Sequence, residues 1–499
     1  MSVDNDGEAG TPSTHQFVTV PPVPQRTEDP TVASGRLVVA LVVAIVVAIG
    51  AFAAAMGELF ASQQSQSPPV TADLGPFNPL VSRNLPPEQL VIIAILALVM
   101  VAAFAVAFEV VAALMSISPR RKILSSYREP AGGMSADGAV RITILVPAHN
   151  EEFSLPVTLG ALKQQTRDPD RVIVVADNCT DRTVEIAHEM GYETFESVDN
   201  VHKKGGALNQ ALAEILPDTD ARDVIMIMDA DTRLSPRFLE VGGQRFADDR
   251  ELTAVGGVFY GEDGEGLIGQ FQRNEYTRYS LQIRARHGRV FVLTGTASMF
   301  RADALLDVAA ARGVFIPGET GKVYDTAALT EDNELTLALK SLGATMTSPI
   351  ECMVTTEIMP TWKDLWTQRK RWQRGALENL SAYGITRATI RYWGQQIGIG
   401  YGTIALNLAI LLMLITFLAV DQWIWFPFWI VIGFIFWLER LITAWSGGWK
   451  ARLLAAALLP ELGYDVFQQV VFCKCLFDIA LAKTTTWGHV QHLESGSTT

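Results

Sequence analysis

Cysteine is scarce, with four in 499 residues, two of them in the "CKC" at 473–475. That is no disulfide framework, so stability must come from packing rather than covalent staples. Charge is thin as well, at 19% of residues, and its sign is negative: 40 Lys and Arg face 53 Asp and Glu, for a formal charge of −13. This balance gives no electrostatic footprint for a polyanion, and no nucleic-acid partner is expected. The GxxxxGK[ST] loop that cradles triphosphates is missing, and so is HExxH. The seven histidines show no metal-ligand spacing.

What is present is apolar and arranged in blocks. Hydrophobic residues make up 49% of the chain. Residues 37–56 carry no charge, and residues 90–115 carry one, Glu109. About 20 apolar residues cross a bilayer, so 37–115 is expected to hold two transmembrane helices joined by a short external loop. Within 393–482, two to four further spans are expected: 398–420, 423–438, and an ambiguous stretch at 453–482. That last stretch carries Glu461, Asp465, Lys474 and Asp478, and ionisable groups are costly at membrane depth. The Pro-, Thr- and acid-rich residues 1–36 read as a disordered tail, too long to open a cleavable signal peptide. Residues 483–499 read as a second tail. Arg120, Arg121, Lys122 and Arg128 follow the second block, whereas 57–89 hold only Arg83. The positive-inside rule then puts 116–392 in the cytoplasm and makes the chain a multi-pass plasma-membrane protein.

The polar middle alternates. Strand-like runs at 141–146, 171–176, 193–198, 224–228 and 254–260 are separated by helical patterns at 152–165, about 181–190, 206–215 and after Ser235-Pro236. Short β-branched runs joined by helices imply a mostly parallel sheet covered on both faces. Ligands of such sheets sit beyond the carboxyl ends of the strands. Three loops fall there: "PAHNEE" (147–152), "DNCTD" (177–181) and "DADTR" (229–233).

Asp181 reads equally as a cap for the helix after it, and Ser235 before Pro236 reads as a helix start. Asp229 and Asp231 resist that explanation, because Ser235 already serves the next helix. Residues i and i+2 of an extended segment point to one side. Two carboxylates so placed repel unless a cation lies between them. Mg2+ or Mn2+, completed by phosphate oxygens, suits such a pair. Lys203, Lys204 and the glycines of "GGALNQAL" (205–212) add a weaker phosphate signal.

"ITILVPAHNEE", "VIVVADNCTD" and "MDADT", in this order, resemble family 2 glycosyltransferases of the GT-A fold, a Rossmann-like α/β architecture. The resemblance covers roughly 140–380. "TED" (330–332) and "QRKRW" (368–372) resemble the membrane-embedded processive branch that makes cellulose, chitin, hyaluronan and poly-N-acetylglucosamine. The resemblance implies that Ala148, His149, Glu151 and Asp177 line a nucleoside pocket, with Lys204 nearby. Asp229 and Asp231 would be the DxD pair, Asp231 the direct metal ligand. Asp332 would be the general base beside Glu331. Gln368, Arg369 and Arg371 would hold the diphosphate, and Trp372 would stack under the acceptor sugar. One departure is visible: Ala176-Asp177-Asn178-Cys179 stands where many relatives have Asp-Asp-Gly-Ser, which bears on base selectivity.

The implied activity is inverting transfer from a nucleotide sugar, a UDP sugar for preference, to a β-linked polysaccharide that leaves through the chain's own spans. An activator or accessory subunit is compatible with that activity. An alternative is a non-processive enzyme adding one sugar to a lipid or lipid-linked acceptor. A transport or scaffold protein that binds the nucleotide sugar without turnover is a third reading. Thr330 could also simply cap a helix whose first-turn acids favour its dipole. The helix expected over "TWKDLWTQRKRWQRG" (361–375) could rest on anionic lipid or line the acceptor path. "GTASMFR" (295–301) and "TEIMPTW" (356–362) look like further acceptor-side segments.

Overall fold

A computed structural model describes residues 69–71, 80–81, 140–286, 288, 290–419, 424–425 and 427–483. The first two apolar blocks, at 37–56 and 90–115, and the tails at 1–36 and 484–499 lie outside the described residues.

The centre is a mixed seven-stranded sheet. Its strands are β1 (Arg141–Ala148), β2 (Arg171–Ala176), β3 (Glu193–Glu196), β4 (Asp223–Met228), β6 (Leu252–Gly256), β8 (Ala297–Arg301) and β9 (Thr345–Thr347). They lie in the order β9-β6-β8-β4-β1-β2-β3. β1 is parallel to both β2 and β4, whereas β8 runs antiparallel to β4 and β6. A three-stranded ribbon joins β5 (Thr232–Leu234), β10 (Met353–Thr356) and β7 (Val258–Gly261).

The helices explain why the strand runs are apolar throughout. Leu145, Ile173, Val175, Ile225 and Ile227 meet Ala207 and Leu208 of α3 (Lys203–Ile215), Leu305 of α6 (Ala302–Ala311) and Leu335 and Leu339 of α7 (Glu331–Ser341). The alternate positions Ile144, Val146, Val174, Val224, Met226 and Met228 turn the other way. They meet Leu155 and Leu159 of α1 (Leu155–Leu162), Ala187 of α2 (Thr183–Glu189), and Phe238 and Phe246 of α4 (Phe238–Asp248). With a side-chain period of two, every residue of a doubly covered strand is a core residue.

Two expectations about local structure are corrected. The strand expected at 254–260 breaks at Gly257, where a Cβ would come within 2.9 Å of the Ala297 carbonyl oxygen. β6 and β7 therefore belong to different sheets. Ser235 does not cap α4: its hydroxyl donates to the Glu351 carbonyl at 3.0 Å, and the helix begins at Phe238.

The remaining helices are α5 (Gly266–Ala285), α8 (Trp362–Tyr383), α9 (Ile390–Ala419), α10 (Pro427–Thr443), α11 (Gly448–Ala457) and α12 (Leu459–Ala480). Among the described residues no helix is long and apolar enough to cross a membrane. That corrects the expected C-terminal spans, and physical reasons are visible. α10 has 17 residues and includes Glu439 and Arg440. The part of α9 whose side chains are described is interrupted by Gln395, Gln396, Thr403 and Asn407, and Gln396 is buried.

The charges of α12 point into protein. Glu461 pairs with Arg278 of α5 at 2.5 Å, and Asp465 with Arg440 at 2.5 Å. Asp478 pairs with Lys370 of α8 at 2.9 Å. Trp362 and Trp366 of α8 pack edge-on against Phe467 of α12, at 5.2 and 5.9 Å, and Trp362 stays half-exposed. Among the described residues, the expected multi-pass plasma-membrane location, membrane-lipid partner and extrusion through the chain's own spans therefore have no spanning helix to rest on.

Candidate active site

β1, β2 and β4 run in one direction, so their following loops gather at one edge. β1 lies between β2 and β4, which makes this the place where strand order reverses and a crevice opens. His149 ties the first two loops together, its Nδ1 2.5 Å from the Asp177 carbonyl oxygen. The main-chain nitrogen of Asp177 donates to the Ala148 carbonyl at 2.8 Å. Asp177 is buried, and its Oδ1 accepts from Ser197 Oγ and Asn200 Nδ2, both at 2.8 Å. Glu151 is fixed through its main-chain nitrogen, which donates to Thr183 Oγ1 at 2.8 Å. Asp181 accepts from the main-chain nitrogens of Thr183 and Glu152, at 3.0 and 3.1 Å. It acts as the cap that one reading of the sequence expected.

The DxD loop leaves β4 at a tight turn. The Asp229 main-chain nitrogen donates to the Thr296 carbonyl at 3.0 Å, and the Ala230 carbonyl accepts from Thr158 Oγ1 at 2.6 Å. Ala230 is thereby drawn into the core, while Asp229 and Asp231 stay partly exposed. Asp229 Oδ1 takes Lys204 Nζ at 2.5 Å, and the same ammonium lies 3.3 Å from Glu331 Oε1. Burial alone would lower the Lys204 pKa, but the Asp229 and Glu331 carboxylates outweigh it and hold the amine charged.

Asp231 is different. Burial first, then the charges of Asp229, Glu151 and Glu357, push its carboxyl up to about 7. A carboxylate crowded by three other acids fits a cation as its missing counter-charge. Glu357 was not anticipated. It follows β10, whose Thr356 pairs with Thr232 of β5, so the ribbon brings this acid beside Asp231. An acid just past a strand end was the available signal. Among the described residues no group of three or more His, Cys, Asp or Glu is arranged to hold a metal ion. A divalent cation here would thus draw part of its coordination from substrate oxygens, as Mg2+ commonly does.

Glu331 and Asp332 open α7. Asp332 Oδ2 accepts from the Gly295 main-chain nitrogen at 3.0 Å, and Oδ1 from that of Asn333 at 2.7 Å. Burial, and then the neighbouring Glu331 charge, raise its pKa to about 6. The Thr330 hydroxyl makes no helix cap; it accepts from Asn379 Nδ2 of α8 at 3.2 Å. Gly375 permits that approach, because a Cβ there would lie 2.4 Å from Thr330 Oγ1. α8 consequently brings Arg371 near both Lys203 and Glu331. Burial first and then Arg371 lower the Lys203 pKa. For Glu331, burial is outweighed by Lys204, with a smaller part from Arg371, and the pKa falls.

Arg369 is placed otherwise. It is buried, paired with Glu275 at 2.9 Å and stacked on Trp372 at 4.4 Å. Gln368 contacts Arg369 through its side-chain oxygen. A recess at the centre is lined by Lys204, Glu331, Asp332, Gly295, Ser298 and Tyr324, among others. Tyr324 carried no signal in the sequence beyond its position ahead of "TED".

Residues 143–308 match the family model described as glycosyl transferase family 2. The chain carries a glycosyltransferase domain. This glycosyltransferase domain is similar to the probable glycosyltransferase YdaM of Bacillus subtilis, with 31% identity over 254 residues, 47% of this chain and 55% of the relative. It is also similar to poly-beta-1,6-N-acetyl-D-glucosamine synthase of Staphylococcus aureus, with 24% identity over 253 residues, 50% of this chain and 57% of the relative. The chain thus spans about half the length of the curated relatives it matches.

Among solved structures the glycosyltransferase is similar to the mannosyltransferase PcManGT from Pyrobaculum calidifontis in complex with GDP-Man and Mn2+. Identity there is 15% over 78% of this chain and 99% of that one, with a TM-score of 0.43. Another is glucosyl-3-phosphoglycerate synthase from Mycobacterium tuberculosis in complex with Mn2+, UDP and phosphoglyceric acid. The figures are 17% identity, 53% and 88% coverage, and a TM-score of 0.33. The expected narrowing to the membrane-embedded processive branch is corrected, since no described helix is long and apolar enough to cross a membrane.

Proposed function

We propose that the chain moves one sugar per encounter from a nucleotide-diphosphate donor to a hydroxyl of a glycan or lipid-linked acceptor. The observation that carries this reading is the meeting of two acid pairs, Asp229/Asp231 and Glu331/Asp332, across one lysine, Lys204. Ala148, His149, Glu151 and Asp177 take the nucleoside at the β1 and β2 ends. Asp231, with Asp229, is the ligand set for Mg2+ or Mn2+, which when bound supplies positive charge for the departing diphosphate.

Arg371 and Lys203 face the same region and suit phosphate, the arginine by its bidentate fork. Trp372 with Arg369 and Gln368 forms a wall on the acceptor side. Asp332 takes the proton from the attacking hydroxyl as that oxygen bonds to the anomeric carbon and the bond to the diphosphate oxygen breaks. One displacement with one base inverts the anomeric centre. Lys204 bridges Asp229 and Glu331 and, against the effect of burial, favours the charged form of Glu331, which leaves Asp332 as the carboxyl for the base.

The purified chain, incubated with Mn2+ or Mg2+ and a panel of UDP and GDP sugars, should release nucleoside diphosphate and lengthen a soluble acceptor by single units. Chelation should stop both. Turnover that survives chelation, or a product of many added sugars, defeats this reading.

A further inference from the structure

Tyr324 stands in the central recess with Lys204, Glu331 and Asp332. It is 3% exposed, and its main chain is clamped to α3: its nitrogen donates to Asn209 Oδ1 at 2.8 Å and its carbonyl accepts from Asn209 Nδ2 at 2.9 Å. Those bonds use the backbone alone, which leaves the phenol hydroxyl without a hydrogen-bond partner among the described residues.

The loop that carries it is also held from the other side. The fully buried Arg312 donates to the carbonyls of Pro317 and Val323, at 2.7 and 2.9 Å, and pairs with Glu334 of α7 at 2.7 Å. Gly205 of α3 lies beside Tyr324, where even a Cβ would make ordinary contact, at 3.7 Å from Tyr324 Cβ. A phenol tip so firmly placed, with no bond to any described residue, is open to a ligand hydroxyl that reaches it.

From this geometry, and resting on the donor reading above, we infer that the Tyr324 hydroxyl binds a hydroxyl of the transferred sugar. The recess, lined also by Leu293, Phe300 and Leu335, has room for about one water-sized group, so a single hydroxyl of the sugar, and not its ring, enters beside the phenol, Lys204 and Asp332. The nucleoside contacts lie at the β1 and β2 ends, away from Tyr324. The residue therefore discriminates the sugar and leaves the nucleotide untouched.

The test uses Y324F, which keeps the ring and removes one oxygen. The full chain with Mn2+ is titrated calorimetrically with UDP, UDP-glucose and UDP-N-acetylglucosamine. Y324F should bind UDP within twofold of the parent. It should bind whichever UDP sugar the parent prefers about 10- to 100-fold more weakly, the discrimination lost with one hydrogen bond in a site built for a hydroxyl. Equal affinity of parent and Y324F for that sugar overturns the inference while leaving the donor reading in place. A parent that binds neither UDP nor a UDP sugar overturns the UDP-sugar form of the donor reading and the inference together. A Y324F that loses UDP binding as well points to a collapsed loop and also overturns it.

Discussion

Asp332 meets two opposing demands. In its proposed role as base it must be ionised, yet its surroundings favour the neutral acid, mainly through burial and then through Glu331, and lift its pKa to about 6. Raised pKa values of this kind are common where a carboxylate does proton work. Turnover should consequently rise with pH through about 6 with unit slope and level off above 7. Asp332→Asn should cut turnover by about 10²–10⁴-fold while leaving donor binding intact, as read by calorimetry. The stability sign is opposite. A carboxyl whose folded pKa exceeds its unfolded value near ~3.9 adds stability below that value and loses it as pH rises through about 6. Asp332→Asn should therefore melt somewhat higher than the parent at pH 8 and no higher at pH 4. A variant that keeps normal turnover, or a flat pH profile between 5 and 7, would remove Asp332 from the base role.

At the scale of elements, the site is an arrangement of helix starts and strand ends. The strand ends were readable because β1, β2 and β4 are unbroken apolar runs that stop at acids, and only a doubly covered strand is written that way. The antiparallel β8 was not readable as a strand: "ASMFR" is short, and its pairing with β4 at Ala297↔Met228 is a long-range fact. The ribbon that brings Glu357 to Asp231 was hidden for the same reason. Legible too was the acid pair opening α7, although not its attachment.

That attachment is the Arg312–Glu334 pair, with exposures of 0% and 1%, joined by the Tyr383 hydroxyl of α8 at 2.5 Å. Removing one member of such a pair strands a buried charge and costs about 3–5 kcal/mol, whereas replacing both by apolar residues is far milder. Glu334→Gln should lower the urea midpoint accordingly and depress turnover with it. Arg312→Met combined with Glu334→Leu should recover most of the stability. Equal destabilisation by the single and the double variant would mean that the pair is not what fixes α7.

Across the whole molecule, the C-terminal helices complete the site from outside. Two of the four ionisable residues that made 453–482 hard to assign, Glu461 and Asp478, have partners on the catalytic side of the structure. Glu461 reaches Asn274 and Arg278 of α5, and Asp478 reaches Lys370 of α8. Cys475 Sγ donates to the Lys370 carbonyl at 3.4 Å, and Arg374 Nη2 to that of Lys483 at 2.6 Å. A hydropathy profile weighs each residue alone, so it registers such charges as a defect in a span. In three dimensions they are the keys of a docking surface.

α8 is the shared part: one flank carries Arg371 to Glu331, and the other receives α12. Losing Asp478, which is 3% exposed, should leave Lys370 and Lys474 without their shared carboxylate and cost about 2–4 kcal/mol locally. Asp478→Ala should then raise amide exchange across Leu459–Ala480 and, through α8, across Trp362–Tyr383, with β1 and β4 unchanged. Turnover should fall by more than donor affinity, because the proposed nucleoside contacts belong to the sheet and the proposed diphosphate and acceptor contacts to α8. If exchange in α8 stays at the parent level while α12 opens, the two helices are not coupled, and the C-terminal region has no part in positioning Arg371.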